Sequence, residues 1–356
     1  MALSEPLADA PGHRIDHGYH PLRVARVVRE TAEASSFVLE VPPDLQEAFA
    51  YESGQFCTFR VWVGGEPHVR CYSMSSSPAV DTELRVTVKR TPDGVVSNWM
   101  HDHLAPGDVL EVARPAGFFR LGDSGGDIVA FSAGSGITPV LSLLKTALAT
   151  TSRRVALLYA NRDEDAVIFR SELDDLHDAY RARFTLHHHL DVDHGLITPT
   201  TIRGFTEATD DAAFYVCGPG PFMEVVEETL RTAGVDAGRI HIERFTPGEW
   251  LPEAGPGDDQ PETMQVTVEL DGRTQSTEYR PGTTILQTAR QMGLSPPFSC
   301  EAGSCATCMA RLVEGTAVMH VNNALTDDEV AGGWVLTCQA VPTSPLVRVA
   351  YDYEEG

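Results

Sequence analysis

Four cysteines near the end of the chain, Cys300, Cys305, Cys308 and Cys338, stand as C-x₄-C-x₂-C followed by a distant fourth. This is the spacing of plant-type [2Fe–2S] ligands, and a cluster of that kind passes electrons one at a time. The loop Ser299-Cys300-Glu301-Ala302-Gly303-Ser304-Cys305 holds small residues and a glycine between two of the thiols. Backbone that wraps bridging sulfides needs such permissive residues, and its N–H groups then point at sulfur and tune the potential. Two other uses of the same thiols are a structural zinc ion, which usually takes two close pairs of ligands, and disulfides, which need an oxidising compartment.

Upstream, Arg70-Cys71-Tyr72-Ser73 reads as the end of a strand. Its Arg can neutralise a pyrophosphate through two nitrogens, its Tyr can stack on a flat ring, and the Ser hydroxyl can reach a ring nitrogen. The plain alternative is an ordinary strand end with an exposed Arg. Thr87 and Lys89 lie on the next strand, and Gly94-Val95-Val96-Ser97 leads into a helix beginning at Asn98-Trp99-Met100. A helix N-terminus with a free hydroxyl suits a phosphate.

Gly134-Ser135-Gly136-Ile137-Thr138-Pro139 is a glycine-rich turn between a buried strand and a helix. It departs from G-x-G-x-x-G because Pro139 stands where the third glycine belongs. Pro139 suits the first helical position and Thr138 the cap before it. Cys217-Gly218-Pro219-Gly220-Pro221-Phe222-Met223 follows another buried strand, and uncluttered turns at the carboxyl ends of parallel strands are where ligands bind. The commoner fate of a lone Cys such as Cys217 is core packing, and Cys57 is read that way. Cys71 faces away from Tyr72. His187-His188-His189 with His194 suggests a metal, but neighbours on a strand point to opposite faces. His101 and His103 read as surface residues.

The elements that must position these residues fall into successive patterns. Residues 1–20 form a loose arm. From 21 to 122, strands Leu22–Val27, Ser36–Val41, Phe56–Val61 and Leu84–Lys89 largely alternate and are separated by turns, which predicts an antiparallel β-barrel. From 123 to 245, buried strands Ile128–Phe131, Val155–Ala160 and Ala213–Cys217 alternate with helices, one of them Val140–Ala149, which predicts a doubly wound α/β domain. Residues 246–262 hold Pro247, Pro252, Pro256 and Pro261 with five acids and no Lys or Arg, which gives a semi-extended linker. From 263 to 356 comes the cysteine-bearing α+β domain, with a hairpin turning at Asp271-Gly272, a helix near Thr284–Met292 and a strand Met309–Val313.

The 356 residues are too many for one ordinary domain. A formal charge of −24 argues against nucleic acid and anionic membranes and suits a basic docking face on a protein partner, or simply keeps the protein in solution. No apolar run has transmembrane length and the first residues do not read as a signal peptide. A soluble cytoplasmic protein is expected, and a monomer is compatible with the sequence.

The R-x-Y-S, G-x-x-S, G-x-G-x-T-P and C-G-P-x-P-x-M segments, in this order and followed by the cysteine module, resemble the ferredoxin–NADP reductase superfamily. The resemblance spans almost all of the chain after residue 20 and is nearest to the reductase components of multicomponent oxygenases. The stretches Val86–Thr91, Leu158–Asp163 and Cys217–Met223 are most similar to the group serving 3-ketosteroid 9α-hydroxylases, with phenylacetyl-CoA epoxidase reductases near relatives. The resemblance implies a flavin barrel, a nicotinamide domain and a β-grasp ferredoxin domain. It implies FAD held by Arg70, Tyr72 and Ser73, with Thr87 and Lys89 beside it and its pyrophosphate at Gly94, Val95, Val96 and Ser97. Gly134, Gly136, Gly218 and Met223 would shape the nicotinamide crevice, Thr138 and Cys217 would flank the ring, and Phe245 would cover the flavin until nicotinamide displaces it. The alternative for Phe245 is an aromatic between domains. Catalysis would rest on Ser73, Cys217 and Phe245. Asn161 and Arg162 open the segment that chooses the coenzyme. One Arg among Asp163, Glu164 and Asp165 favours NADH over NADPH, because acids repel a 2′-phosphate.

The implied activity takes a hydride from NADH to FAD and single electrons from FAD through the cluster to a terminal oxygenase. The linker would let the small domain swing between flavin and partner. The rivals are a self-sufficient flavin oxidase or monooxygenase, for which no substrate domain remains, and a redox sensor, which needs no nicotinamide turn.

Overall fold

The computed structural model describes residues 19–122, 125–206, 211–245, 264–294, 296–298, 301, 303, 305–322 and 324–351. Cys300, the arm before Tyr19 and the proline-rich linker at 246–262 lie outside them. The described residues fall into two compact units, 19–245 and 264–351.

The first unit carries two sheets. Strands β1 (Tyr19–Arg29), β2 (Ala34–Glu40), β3 (Phe56–Val63), β4 (Glu66–Ser73), β5 (Leu84–Lys89) and β6 (Val109–Ala113) make an antiparallel sheet of order β4-β3-β6-β1-β2-β5. Their alternation places Leu22, Val24, Phe37, Leu39, Phe59, Val61, Val86, Val88, Leu110 and Val112 on one inner face, where they form a common core. To enclose that face the sheet curls until its two edge strands approach: Met74, just past β4, bridges Val86 on β5, and Ser75 N–H donates to the Arg85 carbonyl at 2.8 Å. The expected barrel is thus a strongly curled sheet closed at one point. Helix α1 (Val95–His103) follows β5 and buries Val96 and Met100 in the same core. It starts three residues before the expected Asn98, so Val95, Val96 and Ser97 form its first turn.

Strands β7 (Ile128–Ala133), β8 (Val155–Asn161), β9 (Phe184–Leu190), β10 (Ala213–Cys217) and β11 (Ile240–Glu243) form a parallel sheet of order β11-β10-β7-β8-β9. Helices α2 (Ile137–Thr150) and α3 (Arg170–Ala179) cover one face. After the short α4 (Asp191–His194), α5 (Pro199–Thr206) and α6 (Gly220–Thr232) cover the other. Because both faces are covered, β7 is buried throughout. Helix α2 corrects the expected cap. It begins at Ile137 with Gly136 as N-cap, because Gly134–Gly136 already winds as a 3₁₀ turn. Thr138 lies inside the first turn and donates its hydroxyl to the Ser135 carbonyl at 3.0 Å. Pro139 falls in that turn too, where its missing N–H costs nothing.

The two sheets are joined by polar side chains that no local pattern announces. Lys145 on α2 lies 2.6 Å from Asp81 and 2.7 Å from Glu172 on α3. Arg85 on β5 reaches Glu172 at 2.8 Å, and Ser142 donates to the Ser76 carbonyl at 2.6 Å.

In the second unit β12 (Gln265–Leu270) and β13 (Arg273–Glu278) form the expected hairpin, turning with φ of 50° at Asp271 and 69° at Gly272. Helix α7 (Ile285–Gln291) starts at a capping box in which Thr284 accepts from Gln287 N–H and the Gln287 side chain accepts from Thr284 N–H. Strand β14 (Met309–Glu314), the short β15 (Ala317–Met319), helix α8 (Asp327–Ala331), β16 (Trp334–Leu336), β17 (Ala340–Pro342) and β18 (Leu346–Ala350) complete it. The sheet order is β13-β12-β18-β14-β16, with β15 and β17 paired apart. Ile285 and Ala289 of α7 pack on Val266, Val268, Val347 and Val349. This is the α+β ferredoxin-like arrangement expected. No helix among the described residues is long and apolar enough to cross a membrane.

Candidate functional site

At the carboxyl end of the parallel sheet five chemically active side chains stand in one row. Glu243, Cys217, Ser132, Tyr159 and His188 are register partners across β11, β10, β7, β8 and β9, so they share a face. Cys217 and Tyr159 pack in the core beneath α2, which identifies that face. Burial pushes the Cys217 thiol up, and the Glu243 charge beside it adds to the shift. Burial also pushes the Glu243 carboxyl up to about 7. Ser132 is fully buried with no partner for its hydroxyl, and the ring nitrogens of His188 are likewise buried and unpartnered. Tyr159 donates to the Gly134 carbonyl at 2.9 Å and pins the glycine turn.

That turn needs its glycines. A Cβ on Gly136 would stand 2.1 Å from the Cys217 carbonyl oxygen, and one on Gly218 would stand 3.1 Å from the Ala133 Cβ. Gly136, in the turn after β7, therefore lies directly on the backbone of Cys217 and Gly218 at the end of β10, at the carboxyl end of the sheet where ligands bind in such folds. At the end of β8, Asn161 is 5% exposed and neither amide atom has a partner. Such orphaned groups at a strand's carboxyl end fit a polar ligand. The next residue, Arg162, is taken up by Asp163, its Nε donating to Oδ2 at 2.8 Å.

On the curled sheet the predicted residues cluster on β4, β5 and α1. Arg70 is exposed and donates to its neighbour Val69's carbonyl at 2.7 Å. Tyr72 leans on Phe59, with ring centres 5.6 Å apart, and burial pushes its phenol up. Ser73 is 3% exposed. Cys71 shares a hydrogen bond with Thr58 at 3.3 Å. Thr87 is less available than expected, since its hydroxyl lies 2.8 Å from that of Ser36 and 2.7 Å from that of Ser75. Gly94 caps α1, Val95 is exposed, Val96 is buried, and the Ser97 hydroxyl accepts from Thr91 N–H at 3.2 Å.

The structure brings the two sets together at Lys89: its ammonium nitrogen is 3.8 Å from where a Gly134 Cβ would stand. Two other predicted residues differ in setting. Met223 is enclosed in the core between α6 and the sheet, and Phe245 is exposed past β11. The row's Ser132 and Glu243 carried no signal in the sequence beyond their positions at strand ends. His188 and His189 do point to opposite faces: His188 lies against Tyr159, and His189 bonds the Gly195 carbonyl at 2.9 Å.

In the second unit Cys308 and Cys338 are buried, Cys305 is partly exposed, and none is in a disulfide. The Cys308 thiol is hydrogen-bonded to Cys338 and pushed up chiefly by that bond and by burial. Thr337 fixes the two cysteine segments: its hydroxyl donates to the Cys308 carbonyl at 2.8 Å and accepts from Tyr351 at 2.7 Å. Glu301, Gly303 and Ala306 all have positive φ, at 48°, 74° and 53°. Backbone of that kind turns N–H groups inward into an anion-binding hollow, as around iron–sulfur clusters. No three metal-ligating groups surround one point among the described residues. A two-iron cluster needs two thiolates per iron, and Cys308 with Cys338 makes one such pair. The donors fit the cluster.

Comparison with known proteins agrees module by module. Residues 21–121 match the family model of the oxidoreductase FAD-binding domain, 131–228 that of the oxidoreductase NAD-binding domain, and 268–343 that of the 2Fe-2S iron-sulfur cluster binding domain. The ferredoxin reductase component of 3-ketosteroid-9-alpha-monooxygenase from Rhodococcus rhodochrous is 38% identical over 93% of this chain and 96% of its own. The chain belongs to the reductase components of multicomponent oxygenases. One component of the 1,2-phenylacetyl-CoA epoxidase of Escherichia coli is 34% identical over 94% of this chain and 98% of its own. The solved structure of phthalate dioxygenase reductase, described as modular for electron transfer from pyridine nucleotides to [2Fe–2S], aligns with a TM-score of 0.59. It is 26% identical and covers 94% of this chain and 98% of its own. This family member thus has the FAD, NAD and [2Fe–2S] modules of an NAD(P)H oxidoreductase.

Proposed function

We propose that this chain carries electrons from NADH, through FAD and a [2Fe–2S] cluster, to the oxygenase of a 3-ketosteroid 9α-hydroxylase. The observation that carries this reading is the near end-to-end match to a reductase of that system, with all three modules in order. FAD supplies the conversion of paired into single electrons. The protein's part is to hold and orient. Arg70, Tyr72 and Ser73 grip the flavin side, and Lys89 stands between it and the glycine turn. The N-terminus of α1 at Gly94–Ser97 receives the pyrophosphate. Gly134, Gly136 and Gly218 clear the nicotinamide crevice, with Thr138 and Cys217 beside it, and Phe245 covers the flavin face. Glu243 joins this set. Cys300, Cys305, Cys308 and Cys338 hold the cluster. Arg162 is neutralised by Asp163, which supports NADH over NADPH. The setting is the cytoplasm, where the acidic surface meets a basic face on its oxygenase.

The test is aerobic turnover with purified oxygenases, scored as hydroxylated product per NADH. Coupled 9α-hydroxylation of a 3-ketosteroid is expected. Product only with the phenylacetyl-CoA epoxidase would reassign the partner, and no NADH-driven flavin bleaching would remove the reading.

A further inference from the structure

Helix α1 is held from two directions. Along its length Val96 and Met100 sink into the core, Ser97 and Asn98 bond the Thr91 backbone, and Arg90 reaches Asn98 at 3.3 Å and pairs with Asp102. Those contacts set its depth. A further side chain ties it directly to the sheet. His101, expected at the surface, has its Nε2 2.8 Å from the Val88 carbonyl on β5 and its Nδ1 3.3 Å from the Ser35 hydroxyl on β2. Its ring stands edge-on to Phe37 at 6.2 Å. Ser35 and Val88 are paired directly across β2 and β5, so the imidazole straddles one rung of the sheet.

The chemistry of these partners selects one form of the ring. A carbonyl only accepts, so Nε2 carries the hydrogen, and Nδ1 then accepts from the Ser35 hydroxyl. We propose that His101 is a positioning residue that, by clamping α1 to this rung, presents the helix N-terminus at Gly94–Ser97 to the FAD pyrophosphate. The inference rests on the assignment of that N-terminus to FAD.

The clamp is pH-sensitive. The groups facing the ring are Ser35 and Phe37 on β2, the Val88 carbonyl and Arg90 at the end of β5, Asp102 on α1 and Arg29 at the end of β1. Burial, with Arg90 and Arg29, outweighs the Val88 bond and Asp102 and holds the imidazole below its ordinary value of 6.5. A depressed His is neutral at pH 8, so the clamp is intact there. Protonation leaves both contacts possible, since Nε2 still donates to the Val88 carbonyl and Nδ1 can then donate to the Ser35 hydroxyl oxygen, but it puts a charge beside Arg90 and Arg29 that burial disfavours, so the clamp weakens as pH falls below the ordinary value.

The experiment measures FAD affinity of the full chain, stripped of flavin and retitrated by fluorescence, at pH 8 and pH 5.5, with iron content as a check on the other unit. His101→Leu should weaken FAD about tenfold at pH 8, the equivalent of one good hydrogen bond and some alignment. His101→Gln keeps an N–H for the Val88 carbonyl but cannot titrate. It should bind within about twofold of wild type at pH 8 and lose most of the acid weakening that wild type shows. His103→Ala, two residues on and bonded to the Trp99 carbonyl, should match wild type at both values. Wild-type affinity in His101→Leu, or a wild-type pH slope in His101→Gln, overturns the proposal. If the Leu variant does not fold, the Gln slope decides. Gly94→Ala separates the two layers, because its Cβ would stand 2.5 Å from the Ser97 hydroxyl. If Gly94→Ala leaves FAD affinity unchanged, the assignment of α1 to FAD fails. If it releases FAD while the His101 variants behave as wild type, only the clamp fails.

Discussion

The ammonium of Lys145 lies 2.8 and 2.6 Å from the two carboxylate oxygens of Asp81, joining the first helix of the parallel sheet to the segment after β4 of the curled one. Lys145 also meets Glu172 at 2.7 Å, and its side chain is only 10% exposed. Lys145→Met would leave two carboxylates facing each other with Arg85 alone to offset them. Removing one member of such a pair costs about 2–4 kcal/mol once partial exposure is allowed for, or a fall in Tm of roughly 5–12 °C. The melt of the flavin absorbance is the measurement. Lys145→Met with Asp81→Asn should recover part of the loss, as coupled neighbours do. A shift under about one degree for the single variant would mean that Lys145 adds little to the joint between the sheets.

Gly136→Ala tests the touching turns. The added Cβ would meet the Cys217 carbonyl oxygen at 2.1 Å, and that atom is backbone and cannot swing aside. The crevice above must distort while α1 and β4 do not. Flavin should stay bound, and NADH-driven bleaching measured by stopped flow should slow more than about tenfold. Unchanged bleaching would show that the coenzyme does not lie over this turn.

Cys338→Ser separates the two units chemically. The Cys308–Cys338 pair is lost, and serine does not replace a thiolate toward iron. Iron and labile sulfide should fall to near zero, the reduction of an external one-electron acceptor such as cytochrome c should drop about a hundredfold or more, and flavin bleaching by NADH should stay within about twofold. Loss of bleaching as well would mean that the units do not act separately.

How much of this was legible in the sequence follows from the range of each interaction. The cysteine spacing, the Asp271-Gly272 turn and the buried run of β7 are local, and local chemistry fixes them. The start of α2 was misplaced because Thr138 and Pro139 look like a cap and a first position, whereas the glycine turn had already begun the winding at Gly134. His101 has no local partner: it bonds residues 13 and 66 positions away. Glu243 ends a four-residue strand that alternation alone does not reveal, and Lys145 with Asp81 spans 64 positions. In each case the partner is supplied by tertiary packing, which no window of sequence contains.

Glu243 makes stability fall with rising pH. Its carboxyl is pushed from 4.5 up to about 7 by burial. Between those values the native state holds a proton that the unfolded chain has released, so stability declines from pH 4.5 to 7 and stays lower above. Glu243→Gln removes the titrating group. Its unfolding free energy in urea should resemble that of wild type at pH 5 and exceed it at pH 8, by about 1–2 kcal/mol after allowing for solvent screening. An equal offset at both values would show that the carboxyl is charged throughout.

Coenzyme choice can be read out at Asp163. This residue does two jobs: Oδ2 accepts from Arg162 Nε at 2.8 Å, and Oδ1 accepts from Ala166 N–H at 2.9 Å to cap a 3₁₀ turn. Asp163→Asn keeps an oxygen for the cap and removes the negative charge. Arg162, now free of its carboxylate, can pair with a 2′-phosphate. The kcat/KM for NADPH should rise about tenfold, while that for NADH, which has no such phosphate, changes by less than about twofold. Because the guanidinium is exposed, added salt should erode the NADPH gain and leave the NADH rate alone. An NADPH rate that does not move would mean that Arg162 lies out of reach of the adenosine ribose, and that the preference is set by Asn161 and the acids at Glu164 and Asp165 instead.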